Sequence, residues 1–525
     1  MKYLHHRLLR TLLCGVFALC LTACDDDIDN PAAPSGGEEQ QGEDIQVADD
    51  FESRADFMVA SYKKAQPLVT QVWNTHADPQ DFLLLFMSED KQKCYLIGED
   101  SKQLVPESDL PQIYLDNPTE IERSGFLFAQ YKGRNCCMIL DNRTTIEQQY
   151  KMAGRPFDPT TYACDKLTLF YHESFHQYVQ EGKNRWIEPE KNPDAESSRG
   201  QVFPVVYNSR IYRKLMILSL VNALNDDSQK AASYSRAKYW LNKFNTEFAN
   251  EVKRVKYTDI HEGTAEYFGR TIVNKLYPKY PLIQPYDGMS LAAPVDMEAY
   301  MLSTAINLAV RDGRKDEVLN SFEKGLSSPI EILLKDVAVP ANYDESADKA
   351  DRDRITAALD ELYGPESFIM KPVFDLLASH RKGTNTYLVD VHPGGSAMTS
   401  SMGSYVFTDP DVKQYGCTIK LYMQMKNVEV IGSTILESNQ KGYYLIPVDA
   451  SSLTLENVTP LAEPKKHPEM EGVNYVAQAT LTAFQKSETC NVPKLPLDVM
   501  KATDNFGNTM YFIQNKSRGF IIAEL

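Results

Sequence analysis

The stretch Asp165-Lys166-Leu167-Thr168-Leu169-Phe170-Tyr171-His172-Glu173-Ser174-Phe175-His176-Gln177-Tyr178-Val179 decides how the rest of this 525-residue chain is read. Leu167, Phe170, Phe175 and Tyr178-Val179 recur at helical spacing, and Gly182 follows as a stop signal, which predicts a core helix. Positions i and i+4 of a helix share one face, so His172 and His176 aim two imidazoles at one point. Glu173, one step round, reaches toward a water held at that point. The chain has 9 histidines. With so few, an accidental H-E-x-x-H has a probability on the order of one in a hundred.

Two imidazoles leave a catalytic metal site one protein ligand short. The best source is Asp259-Ile260-His261-Glu262-Gly263-Thr264-Ala265-Glu266-Tyr267. Read as a helix capped near Thr258 or Asp259 and stopped by Pro278, it sets Glu262, Glu266 and Gly269 on one face. Glu262 supplies the third ligand. Glu266, one turn on, accepts a hydrogen bond from the outer nitrogen of a ligand histidine, and Gly263 and Ala265 keep the backbone close. A residue to steady an oxyanion is also expected, and His261, Tyr267 and Tyr300 are the candidates.

These two motifs together resemble the gluzincin metallopeptidases, in which H-E-x-x-H on one helix is completed by a glutamate from a second. Glu262-Gly263-Thr264-Ala265-Glu266-Tyr267 is similar to the E-G-x-A-E-Y run of many such enzymes, and His172-Glu173-Ser174-Phe175-His176-Gln177 to their first helix. The resemblance implies Zn2+ as cofactor, with His172, His176 and Glu262 as ligands. It also implies Glu173 as general base and acid, Glu266 as the residue behind a ligand, and a peptide or protein as substrate. Roughly 85 residues part His176 from Glu262, against about twenty in better-known gluzincins. Two long helices, Tyr207 to Leu224 and Gln229 to Val255, turning at Asn225-Asp226-Asp227, are expected to form a hairpin that closes this distance.

At the N-terminus, Lys2, Arg7 and Arg10 precede an apolar run from Leu12 to Leu21 that ends Leu21-Thr22-Ala23-Cys24. This reads as a signal peptide over residues 1–23. A small residue before cysteine resembles a bacterial lipobox, which makes Cys24 the lipidated first residue of the mature chain. Residues 24–50 are acidic and nearly devoid of apolar side chains, as expected of a disordered tether. Asp25-Asp26-Asp27 after the cysteine resembles a surface-export signal of some Gram-negative lipoproteins. The expected location is therefore the bacterial envelope, as an outer-membrane lipoprotein exposed at the surface, with the membrane as a partner through the lipid at Cys24.

The remaining body is too long for one compact core. The expected fold class is α+β with several domains. Residues 51–159 form a small mixed α/β sheet region, with a helix at Met58–Gln66 and strands at Phe82–Phe86, Cys94–Ile97, Phe126–Tyr131 and Cys136–Leu140. Either Phe126–Tyr131 or Cys136–Leu140 lends an edge to an extended peptide. Residues 160–380 are a mainly helical, zincin-like catalytic domain, including helices at Met297–Arg311 and Asp351–Tyr363. Residues 385–525 alternate as half-buried strands do, which predicts a β-sandwich-like domain for substrate docking or shielding.

A net charge of -17 argues against nucleic acid as a partner. Six cysteines follow Cys24 (Cys94, Cys136, Cys137, Cys164, Cys417 and Cys490) without zinc-ribbon spacing, and are either disulfide partners or buried thiols. The reading that results is a zinc metallopeptidase, a hydrolase displayed on the envelope. Its rival is a non-catalytic surface lipoprotein that binds peptides or glycans for a partner transporter, for which a helix-borne H-E-x-x-H has no use.

Overall fold

A computed structural model describes residues 46–366 apart from 74–81, 99, 119, 153–155, 181–200, 204, 285–290, 292–294, 324–326, 340–341 and 365, and beyond 366 the backbone of strands between 387 and 523. Residues 1–23, read above as a signal peptide, together with Cys24 and Gly182 lie outside the described residues. The fold is α+β, with a mixed sheet near the N-terminus and a mostly helical middle. Two compact units are formed, one of residues 1–199 and 208–355, the other of residues 200–207 and 356–525.

Residues 46–50, read above as the end of the tether, already belong to the fold. The Val47 amide donates to Thr160 Oγ1 at 3.1 Å, and Asp50 caps the helix α1 (Phe51–Val72) by accepting from the Ser53 amide at 2.8 Å. The acidic side chains here are caps and ion pairs: Asp49 pairs with Arg54 and Arg143. Arg54 in turn grips the buried Asp141 through Nε and a terminal nitrogen, which ties the start of α1 to the sheet.

That sheet contains β1 (Leu83–Ser88), β2 (Cys94–Ile97), β3 (Lys102–Leu104), β4 (Phe126–Tyr131) and β5 (Arg134–Asp141), in the order β3-β2-β1-β5-β4. Every residue of β1 is buried, as a central strand covered on both faces requires. β1 runs parallel to β5, with Leu85 beside Met138, and every other pairing is antiparallel. β4 and β5 are joined by Lys132-Gly133, both at positive φ (48° and 77°), the two-residue turn whose twist matches a hairpin. Of the two strands expected to offer an edge, β5 lies inside, because its hydrogen bonds are used by β1 on one side and β4 on the other. Only β4 is an edge.

One face of this sheet packs a closed cluster of Leu83, Leu85, Met87, Cys136, Met138 and Leu140 against Tyr114, Ile121 and Leu127. The four described cysteines, Cys94, Cys136, Cys137 and Cys164, are buried free thiols, which settles the disulfide alternative for these four. Burial pushes the Cys94 and Cys136 thiols up to about 12, so they are neutral small hydrophobes at ordinary pH.

The helical part is organised by α2 (Pro159–Ser174), α3 (Tyr207–Asn225), α4 (Lys230–Glu247) and α5 (Ala249–Leu276). The expected boundary near Thr258 is ten residues late: the break falls at Phe248 (φ -128°, ψ 39°), which has no side-chain cap. Its ring packs on Phe244 at 6.0 Å and Tyr212 at 5.7 Å, so ring packing accompanies the bend where no Gly or Pro marks a turn. The single helix expected over Met297–Arg311 is likewise two, α6 (Val295–Met301) and α7 (Ser303–Arg311), parted at Leu302.

Packing of α2 on α5 is the central contact. Phe175 sits 4.7 Å from Phe268 and 4.9 Å from Trp73, ring centre to ring centre. The backbones come close at Gly269, where a Cβ would lie 2.8 Å from the Thr168 carbonyl oxygen and 3.2 Å from the His172 amide. A buried ion network holds α5 through Asp259. Arg213 of α3 takes Asp259 with both terminal nitrogens (2.7 and 2.9 Å) and Glu298 of α6 with Nε (2.7 Å), and Arg210 and Lys214 also pair with Glu298. Such pairs offset a large desolvation cost only when their geometry is satisfied, so they fix α3, α5 and α6 in one register.

No helix among the described residues is long and apolar enough to cross a membrane. In the second unit, Leu453–Lys466, Asn474–Phe484, Leu497–Thr503, Thr509–Asn515 and Arg518–Ala523 form an antiparallel five-stranded sheet in chain order. A four-stranded antiparallel sheet includes Cys417–Lys426 and Glu429–Ser438.

The close approach at Gly269 predicts that Gly269→Ala destabilises the protein by about 1–3 kcal/mol, since the obstacles are backbone atoms that cannot swing away. Denaturant unfolding checks this, with Ala163→Gly elsewhere on α2 as the comparison.

Candidate functional site

His172 and His176 stand at the C-terminal end of α2, where the helix changes character. Residues Phe175–Gln180 form a π-helical turn, and the Phe175 amide is shared between the Tyr171 and His172 carbonyls. Such turns are rare and often mark functional sites. The two rings stand nearly perpendicular (81°) with their centres 4.7 Å apart, and their Nε2 atoms come within 3.0 Å. Across the contact, α5 delivers Glu262, whose Oε2 lies 3.3 Å from each of those Nε2 atoms. All three residues are buried.

Three donor atoms thus form a triangle with edges of 3.0, 3.3 and 3.3 Å. Tetrahedral bonds of about 2.0–2.1 Å to a zinc-sized ion separate neighbouring ligand atoms by about 3.3 Å. The residues present therefore fit a divalent ion of that size, and two imidazoles with one carboxylate are a borderline-soft donor set.

Each ligand histidine is fixed through its far nitrogen. His172 Nδ1 meets Glu266 Oε2 at 3.2 Å, as the sequence predicts, and Glu266 Oε1 takes Arg270 Nε at 2.5 Å and Gln284 Nε2 at 2.8 Å. His176 Nδ1 meets Gln180 Oε1 at 2.5 Å, while Gln180 Nε2 donates to the His261 carbonyl at 2.9 Å and to Thr264 Oγ1 at 2.8 Å. Because the Gln180 amide nitrogen is spent on acceptors in α5, its oxygen must face His176. Each histidine therefore directs its Nδ1–H at the partner behind it and leaves Nε2 to face the cluster.

Sequence reasoning missed Gln180, Arg270 and Gln284. Gln180 and Arg270 each sit four residues after a site residue, His176 and Glu266 respectively, so the i,i+4 rule was the available signal. Gln284 lies beyond α5 and carries no such signal.

Rings cover the faces of the two imidazoles. Tyr300 of α6 lies parallel to His172 (5.5 Å, 13°), and His261 of α5 lies parallel to His176 (4.1 Å, 11°). Tyr267, the third oxyanion candidate, is buried, five residues past Glu262, and points about 140° round the helix from it. Glu173 is buried beside Cys137 of β5. Burial first, and the Glu173 charge second, push that thiol well up.

The electrostatics are those of an anionic pocket. Burial pulls the His172 pKa down, but the Glu262 and Glu266 carboxylates outweigh it and hold the value up at about 10. Burial pushes Glu266 up, but Arg270 and His172 outweigh it and bring it down to about 2. No protein-family model, curated protein or solved structure matches this chain significantly.

Two outcomes are expected. A metal ion needs the neutral His172 ring, and the ring keeps its proton up to about pH 10, so uptake at neutral pH expels about one proton. Affinity then falls about tenfold per unit of falling pH. Calorimetry in buffers of different ionisation heat reads the proton directly. Gln180→Leu leaves His176 free to turn and weakens metal binding about 10–100-fold, while Gln180→Glu, which keeps the acceptor, retains more of it, as read by chelator competition.

Proposed function

We propose that the protein is a zinc-dependent peptidase that hydrolyses a peptide or protein substrate. The observation that carries this reading is the meeting of His172 Nε2, His176 Nε2 and Glu262 Oε2 within 3.0–3.3 Å, each histidine locked from behind, with Glu173 next in sequence to a ligand. Their resemblance to the motifs of gluzincin metallopeptidases points the same way. As part of this reading, the helical region is zincin-like and the C-terminal strands form a sandwich-like module that docks or shields substrate. The chain is carried on the bacterial envelope by a lipid at Cys24.

His172, His176 and Glu262 would hold the ion. When bound, zinc lowers the pKa of its water and polarises a carbonyl oxygen. The chain supplies the rest. The Glu173 carboxylate takes a proton from the attacking water and returns it to the amide nitrogen that leaves, a role open to a buried carboxylate next in sequence to His172. Glu266, backed by Arg270, holds His172 as the Nδ1–H tautomer through the cycle. Gln180 does the same for His176. Tyr300 and His261 sit against the two histidine rings, whereas Tyr267 points away from Glu262 round α5, which makes it the weakest of the three oxyanion candidates.

Glu173→Gln is expected to lower turnover of a peptide library by at least about a hundredfold while retaining about one zinc per chain, and His172→Ala to lose both. Metal analysis and cleavage assays on the two variants decide it. Retained activity in Glu173→Gln refutes the assigned base, and a parent without metal refutes the whole reading.

A further inference from the structure

His261 touches both kinds of ligand by three separate routes. Its ring lies flat against His176, 4.1 Å between centres and 11° from parallel. Its Nδ1–H donates to Glu262 Oε1 at 3.3 Å, the carboxylate oxygen that does not face the histidines. Its backbone carbonyl accepts from Gln180 Nε2 at 2.9 Å, and Gln180 in turn accepts from His176 Nδ1. The ring is itself backed by Tyr257, 5.2 Å away and 25° from parallel, so it is gripped on both faces.

We propose that His261 is a positioning residue which holds Glu262 to a single ligating oxygen and keeps His176 in its ligating orientation. This rests on the metal reading above and assigns a residue the ligand set alone does not require. The physical reason is competition for the carboxylate. Carboxylates bind metals through one oxygen or both, and two oxygens on the ion would use the position a catalytic site must leave for water. A hydrogen bond to Oε1 lowers that oxygen's donor strength and turns it away, while Oε2 stays at 3.3 Å from both Nε2 atoms. Stacking stops the His176 ring from turning about its Nδ1 bond to Gln180.

The test uses the folded body with three substitutions, His261→Ala, His261→Phe and His261→Gln, and with Zn2+ and Co2+ as probes. Phe keeps the stack and removes the N–H; Gln keeps a donor and removes the stack. His261→Ala is expected to weaken both metals about 10–100-fold, and Phe and Gln each to recover part of that loss. In the cobalt-loaded protein the visible absorption of His261→Phe should weaken, as it does when cobalt passes from four ligands to five. Parental affinity and a parental cobalt spectrum in all three, with turnover alone reduced, would make His261 an oxyanion donor and overturn the proposal. A parent that takes up neither ion overturns the metal reading and this inference with it. Should His261→Ala fail to fold by its thermal melt, the Phe and Gln variants decide alone.

Discussion

Everything at the candidate centre depends on how closely two helix backbones approach at Gly269. The Thr168 carbonyl and the His172 amide belong to the turn that carries the first histidine, and Gly269 lies seven residues, about two turns, beyond Glu262. A side chain there would part the helices by the width of a methyl group, and the Glu262 oxygen that now stands 3.3 Å from each histidine nitrogen would move away with α5. Phe175, Phe268 and Trp73 supply the apolar pressure, and glycine supplies the room.

Charge is the second constraint. Glu173, Glu262 and Glu266 are buried in one place, an arrangement that water cannot stabilise. Arg270 answers Glu266. A proton on His172 answers part of the remainder, and a divalent ion would answer more of it. A second network, of Arg210, Arg213 and Lys214 with Glu251, Asp259 and Glu298, lies nearer the N-terminal end of α5. It anchors α5 one turn before Glu262 and α6 two residues before Tyr300, so the ring over His172 and the carboxylate below it are held by one guanidinium.

Much of the site was legible because its residues obey helical periodicity. His172, His176, Glu262 and Glu266 are placed by i,i+4 reasoning, and the structure brings them together. Gln180 obeys the same rule but carries no charge and belongs to no motif, so nothing in the sequence drew attention to it. The sheet was legible from its short apolar and aromatic runs, whereas strand order was not, because local pattern does not say which strand lies inside. The break at Phe248 was invisible for a related reason. It goes with rings from Tyr212 and Phe244, the first far away in sequence, and neither Gly nor Pro accompanies it.

The helix Ala249–Leu276 is 28 residues long, roughly 42 Å, and carries Glu262 near its middle. Its position against α2 is set locally, at Gly269 and Phe268, and not by the length of chain that leads into it. For a flexible connection each doubling of length adds only about 0.6 kcal/mol of closure entropy. Distance along the chain and distance in space are therefore nearly independent here. The interval between the histidine pair and the glutamate can change length in the turns that join its helices while the three donor atoms keep their triangle, so sequence spacing is a poor measure of kinship for a centre built this way.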